Sequence, residues 1–264
     1  MTINDEKNAI LQKWVDRYIP IWIFGIILFS LTAISFSFGP FITSELLPAT
    51  TWYPFEIKKF TMRHYFFFIQ HVIAIFQTGL GITTDITISF LFCYVSVKLE
   101  ILKNLISISK KSEAIIECFN EHKKCIQFFK QLTITARLMM LKNNLLMMIT
   151  IICGAIPLLS NAPLTESSQF ISIVATSYLR IYMNVWPADD VREMSLNTAA
   201  AFYECPWIDA PKSVQRSINF AISRAQKPLI VSIPGLLPPI TLQFYANVNT
   251  NFYATINNHR IEFL

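Results

Sequence analysis

Long stretches without a charged side chain constrain the fold of this chain more than any other feature. No Asp, Glu, Lys or Arg occurs from Tyr18 to Ser44, and another uncharged stretch covers residues 228–258. Charged residues make up only 15% of the chain and hydrophobic residues 53%, whereas a soluble domain carries about 25% charged residues. So few charges could not cover a water-exposed surface of this size. The chain is therefore predicted to be an integral membrane protein made of helices.

The uncharged stretches and the prolines near their ends predict an all-α bundle of about five transmembrane helices in a single domain over residues 1–264. A helix needs about 20 residues to cross the hydrocarbon core of a bilayer. The segment ELLPATTWYPFEIKKFTMRHY is rich in Pro and aromatic residues and is predicted to be a loop after the first span. The predicted spans are 18–44, 65–97, 143–159, 167–186 and 240–257.

Two polar segments between the spans also carry helical patterns. In residues 98–142 the apolar side chains recur at helical spacing, which predicts extensions of two membrane helices that join near Lys110 and Lys111. In residues 189–227 the sequence ECPWIDAP predicts a break, and KSVQRSINFAISRAQK predicts a further helix. Both segments are therefore predicted to be structured outside the membrane.

The distribution of Lys and Arg predicts the orientation of the chain. Seventeen of the 22 basic residues lie in the N-terminal segment, in 98–142 and in 189–227, and four lie on the opposite side. The remaining one, Arg180, lies within the fourth span. Because basic residues remain preferentially in the cytosol, the N-terminus and both polar segments are predicted to be cytosolic, and the C-terminus extracellular.

Two charged residues within the spans are candidates for a polar pair. Asp85 is the one acidic residue in a predicted span, and Arg180 on the fourth span could lie at a similar depth. An ionisable residue in a membrane is a candidate functional site. The alternative is a structural ion pair between two helices, and the sequence leaves both interpretations open.

The fifth span is unusually rich in amide and hydroxyl side chains. A helix that faced only lipid would leave these groups without hydrogen bonds at a high cost. The pattern therefore predicts either a pore-lining face or a face that bonds to other helices. Its polar residues include Gln243, Asn247, Asn249, Thr250, Asn251, Thr255 and Asn257.

Other classes of site find no support in the sequence. The five cysteines are scattered without metal-ligand spacing, which predicts neither a disulfide framework nor a metal site. No nucleophile elbow, zinc-protease or phosphate-loop motif occurs. The basic residues cluster beside apolar spans, which is not typical of a nucleic-acid interface. We therefore expect no enzyme activity, no cofactor and no nucleic-acid partner.

Several strings together resemble the insect odorant receptor family, with its seven helices and inverted topology. They are LLPATTWYPFEI, ECFNEHKKCIQFFKQL, NTAAAFYECPW and SRAQKPLIVSIPGLLPPITLQFYANVNTNFYATINNHR. The similarity is to hymenopteran-like tuning receptors and covers nearly the full chain. It implies that the five spans are helices three to seven of the family, so the chain would lack the first two. Arg180 and the many Asn residues of the last span depart from the family pattern.

The resemblance implies a function and a set of partners. Members of the family are similar in forming ligand-gated, non-selective cation channels as hetero-tetramers with a co-receptor in the plasma membrane. On that pattern, segments 98–142 and 189–227 would form a cytosolic anchor between subunits. A small volatile odorant would bind near Ile34, Phe38, Gln70, Ile73, Gln77, Tyr178 and Tyr182. The pore would be lined by Gln243, Asn247, Thr250 and Asn251.

The sequence leaves three alternatives open. A gustatory-type receptor would respond to soluble tastants without the olfactory co-receptor. A membrane carrier could use Asp85 and Arg180 as a substrate or proton site, although no inverted repeat is visible. A receptor fragment without function is the third.

Overall fold

The computed structural model describes residues 3–43, 60–109, 112–159, 164–207, 210–232 and 238–250. Every regular element within those ranges is an α-helix, so the predicted all-α class is confirmed. The helices are α1 (Ile3–Thr43), α2 (Phe60–Ile108), α3 (Ser112–Leu159), α4 (Leu164–Glu204), α5 (Lys212–Ala225) and α6 (242–250).

Four of these helices are much longer than a bilayer is thick. The longest, α2, has 49 residues, and at 1.5 Å per residue it is about 74 Å long. The hydrocarbon core is about 30 Å thick, so a helix of this length extends well into water. Three helical segments in the described ranges are long and apolar enough to cross a membrane, namely Asp5–Ser35, His64–Ile108 and Glu113–Ile156.

The structure corrects two predicted boundaries. Residues Phe60–His64, which precede the predicted span 65–97 and were predicted to belong to a loop, form the first turn of α2. Helix α4 does not end near Trp186 but continues through Pro187 to Glu204. Its buried side chains after the proline recur every three or four residues, and this amphipathic pattern extends the helix. The buried residues in this part of α4 are Ala188, Asp190, Val191, Ser195, Thr198, Ala201 and Phe202.

The chain forms two compact units, and each of the four long helices contributes a segment to both. Unit 1 consists of Met1–Pro20, Thr87–Lys142 and Met183–Ala246. Unit 2 consists of Ile21–Ile86, Asn143–Tyr182 and Asn247–Leu264.

A hydrophobic core in unit 1 joins α2, α3, α4 and α5. Helix α5 contributes the buried residues Val214, Ile218 and Ala221 from a single face, as expected for an amphipathic helix. The helix predicted from KSVQRSINFAISRAQK is thus confirmed. The other helices contribute Leu102, Ile106, Ile115, Cys118, Ala201 and Phe202, and Cys205 just after α4 completes the cluster.

The first part of α1 is fixed in unit 1 by polar contacts. The Trp14 indole donates a hydrogen bond to the Glu100 carboxylate of α2. Lys13 pairs with the same carboxylate at 2.8 Å, but an exposed pair of this kind contributes little stability. Helix α1 begins at Ile3, well before the first predicted span, and these contacts hold its first part against α2.

A buried carboxylate of unit 1 joins α1 to α4. The Tyr18 hydroxyl donates to Asp190, and Arg17 pairs with Asp190 at 3.1 Å. The Arg17 guanidinium also lies over the rings of Trp14 and Trp186, 5.3 and 5.0 Å from their centroids. Burial raises the pKa of Asp190 above its ordinary value, and the contacts with Tyr18 and Arg17 oppose that rise.

The unit 1 core yields a stability prediction. Ile218 is 1% exposed, so Ile218→Ala should lower the free energy of unfolding by about 2–5 kcal/mol. Asn219 on the same helix is exposed, and Asn219→Ala should change it by about 0.5 kcal/mol or less. Denaturant unfolding of the detergent-purified protein measures both. Equal costs for the two variants would contradict the assigned face of α5.

Candidate functional site

Three helices of unit 2 meet at one buried carboxylate. Asp85 on α2 is 0% exposed. The Nε atom of Arg180 on α4 donates to Asp85 Oδ2 at 2.6 Å. The Nδ2 atom of Asn143 on α3 donates to Asp85 Oδ1 at 2.8 Å. Each carboxylate oxygen therefore has a donor from a different helix.

This arrangement satisfies the requirements of a charge in a low-dielectric interior. An isolated carboxylate or guanidinium would lose its hydration at a cost of several kcal/mol or more. The Asp85–Arg180 pair cancels the net charge, and Asn143 supplies a further hydrogen bond. The two residues considered above as a polar pair are thus in direct contact, with a partner from a third helix.

A glycine makes room for the arginine. Gly81 lies one helical turn before Asp85, and therefore on the same face of α2. A Cβ atom at position 81 would lie only 2.7 Å from the Nη2 atom of Arg180. Any residue other than glycine would push the guanidinium away. At Gly79, two residues earlier, a Cβ atom would meet nothing within 4 Å.

Hydroxyl contacts between α1 and α4, and a close approach of α3 to α4, also hold the helices of unit 2 together. Thr32 Oγ1 on α1 lies 2.8 Å from both Ser172 Oγ and Thr176 Oγ1 on α4. A Cβ atom at Gly154 on α3 would lie 2.7 Å from a methyl group of Val174 on α4. Small residues and interhelical hydroxyls are typical contacts of membrane helices.

All seven residues predicted to bind ligand belong to unit 2, but they differ in burial. Ile34, Phe38 and Ile73 are 53%, 59% and 56% exposed, and Gln77 is also exposed. These four lie on outward faces that the described helices do not enclose. The remaining three, Gln70, Tyr178 and Tyr182, are half-buried. The ligand assignment remains a prediction.

Three of the four residues predicted to line a pore lie on one face of α6. Gln243, Asn247 and Thr250 are spaced by four and three residues, and all three are exposed. Asn251 lies outside the described residues. The pore assignment also remains a prediction.

Asn143 and Gly81 were not identified as site residues from the sequence. The spacing of Gly81 and Asp85 places both on one helical face, and Asn143 begins the third predicted span. Both features are visible in the sequence, but neither indicates which side chain on another helix Gly81 or Asn143 contacts. No group of three His, Cys, Asp or Glu side chains in the described ranges could hold a metal ion.

A family model for the 7tm Odorant receptor matches residues 3–253. The chain is similar to Odorant receptor 10 of Aedes albopictus, with 25% identity over 143 residues, and to Odorant receptor Or2 of Anopheles gambiae, with 26% identity over 147 residues. Each alignment covers 53% of this chain. It covers only 37% and 38% of the respective relatives, so the chain matches less than half of their length.

Two solved structures share the fold. The insect olfactory receptor OR5 from Machilis hrabei matches with a TM-score of 0.86, and the structure of the same receptor in complex with eugenol matches with 0.82. Sequence identity is 18% in both cases. The matches cover 96% and 98% of this chain and 68% of the receptor chains. Since the family model covers almost the whole sequence, the chain belongs to the insect odorant receptor family.

Proposed function

We propose that this chain is an odorant receptor subunit that binds a small volatile ligand and gates a non-selective cation channel with a co-receptor. The family match over residues 3–253 is the observation that carries this proposal. The curated relatives are named odorant receptors, and one solved relative is a complex with eugenol. A hetero-tetramer with the co-receptor in the plasma membrane is part of the same proposal.

The proposed ligand site uses the seven residues of α1, α2 and α4 named above. Most of them are apolar or aromatic, which suits a ligand held by packing with few polar contacts. Burial of apolar surface contributes roughly 25 cal/mol per Å². The outward faces of Ile34 and Ile73 need a cover of lipid or protein to become a site.

Gating requires that the ligand bind the open arrangement more tightly than the closed one. We assign the pore to the α6 face that carries Gln243, Asn247 and Thr250, with Asn251 beyond it. An exposed row of amide and hydroxyl groups on a helix within an apolar chain supports this assignment. Such side chains can replace part of the hydration of a passing cation.

A substitution on α6 tests the channel and the pore together. In cells that express this chain with an insect odorant receptor co-receptor, we expect a panel of volatiles to evoke a cation current. Asn247→Leu should change the relative permeability to Na⁺ and K⁺, or the block by a pore blocker, because it removes an amide from the proposed pore face. Whole-cell recording measures both.

A matched control is available on the same helix. Asn249 is half-buried and lies on another face of α6, so Asn249→Leu should leave permeability and block unchanged. If both variants or neither altered permeation, the pore assignment would be wrong. If no volatile evoked a current from the unmodified chain, the receptor proposal itself would fail.

The proposed orientation has its own test. The surplus of Lys and Arg in the N-terminal segment, 98–142 and 189–227 supports a cytosolic N-terminus and an extracellular C-terminus. An epitope tag at the C-terminus should bind antibody on intact cells. The same tag at the N-terminus should bind only after permeabilisation. The reverse result would overturn the orientation.

A further inference from the structure

The ion pair of unit 2 lies on the same two helices as most of the proposed ligand residues. Along α2, Gln77 lies one turn before Gly81, which lies one turn before Asp85. Along α4, Arg180 lies within one turn of both Tyr178 and Tyr182. A ligand that moved α2 relative to α4 would therefore change the distance between the two charges.

Short charged contacts between helices favour discrete arrangements. The Nε–Oδ2 distance is 2.6 Å and Asp85 is fully buried. A shift of one or two ångströms would break this hydrogen bond, and in a low-dielectric interior the loss is larger than at a surface. Helices held in this way move between distinct contacts rather than continuously.

Stability alone does not require a charge at these positions. Well-packed apolar residues of similar volume often replace a buried ion pair without loss of stability, since the two charges no longer need to be desolvated. What an apolar pair lacks is a directional bond that defines one alignment of α2, α3 and α4. The donors from Arg180 and Asn143, one on each oxygen of Asp85, provide that bond.

We propose that the Asp85–Arg180 ion pair is a conformational latch between α2 and α4, and that its state is coupled to channel opening. Gly81 and Asn143 are its positioning residues. Gly81 provides the space for the guanidinium, and Asn143 holds the second carboxylate oxygen from α3. This latch rests on the proposed channel function and adds a control element to it.

A pair of glycine variants tests the latch. Gly81→Ala places a Cβ atom at 2.7 Å from Nη2 of Arg180 and should displace the guanidinium, whereas Gly79→Ala meets nothing. Both variants make the same change in the same helix. In cells that also express the co-receptor, Gly81→Ala should shift the half-maximal concentration of an activating volatile by about fivefold or more. Gly79→Ala should leave it unchanged.

The half-maximal concentration is the decisive readout because it does not depend on how many channels reach the surface. Asp85→Asn, which removes the charge from the carboxylate, should shift it in the same direction as Gly81→Ala. Surface biotinylation supplies the expression control. If Gly81→Ala and Gly79→Ala gave the same half-maximal concentration, the latch would be overturned while the receptor proposal stood.

A double-mutant cycle with Arg180→Lys tests the contact between position 81 and the guanidinium directly. Arg180→Lys retains the positive charge but removes the guanidinium nitrogens that approach position 81. Gly81→Ala should therefore have a much smaller effect in the Arg180→Lys background than alone, a coupling that a double-mutant cycle measures. Equal effects in both backgrounds would overturn the latch. If the unmodified chain failed to conduct with every volatile tested, the receptor proposal would fail, and the latch with it.

Discussion

A carboxylate without access to water requires donors from the protein, and this requirement organises each of the two units. In unit 2, Asp85 accepts hydrogen bonds from Arg180 and Asn143, so one side chain fixes α2, α3 and α4. In unit 1, Asp190 accepts from Tyr18 and Arg17, so a carboxylate of α4 fixes the first part of α1. In unit 2, removal of Arg180 would leave a buried carboxylate without its counter-charge, at a cost of about 3–5 kcal/mol. In unit 1 the Arg17 side chain is 46% exposed, so its pairing with Asp190 contributes less. These contacts therefore determine which helices are neighbours, while apolar packing supplies most of the contact area.

Hydroxyl side chains in an apolar environment also need hydrogen-bond partners, and several find them within their own helix. Thr78, Thr83 and Thr84 on α2 each donate to the carbonyl four residues earlier. A threonine that bonds to its own helix can face lipid without an unsatisfied donor. Thr32 is different, because its hydroxyl also contacts Ser172 and Thr176 on α4 and so contributes to a helix pair. The position of a hydroxyl side chain on its helix, more than its residue type, decides whether it bonds only to its own helix or also joins that helix to another.

The helical class and the positions of the long helices could be predicted from the sequence, since charge-free stretches and helical spacing are local signals. The extension of α4 beyond Pro187 was missed, because tertiary packing extends this helix past a local breaker. The start of α2 at Phe60–His64 was missed because Arg63 interrupts the uncharged stretch from which the span was predicted. A buried carboxylate needs a positively charged or hydrogen-bonding partner. Few residues in the predicted spans can fill that role for Asp85, and Arg180 is one of them. Asn143 could not be identified, since its role depends on the rotation of α3. Gly79 and Gly81 are equivalent in the sequence, and only the path of the Arg180 side chain distinguishes them.

The placement of Gln77 about two turns from Asp85 on α2 has a consequence for the interpretation of responses from the proposed channel. A side chain that contacts the ligand changes the half-maximal concentration by an amount that depends on the chemistry of the ligand. A side chain that only biases the equilibrium between closed and open arrangements adds the same free energy for every ligand that opens the channel. Substitutions at Gln77 can act in both ways, whereas Gly81 lies beneath the guanidinium and can act only through the second. Comparison of several volatiles would therefore separate recognition from control along this one helix, because a uniform shift would indicate the proposed latch and a ligand-dependent shift the proposed binding site.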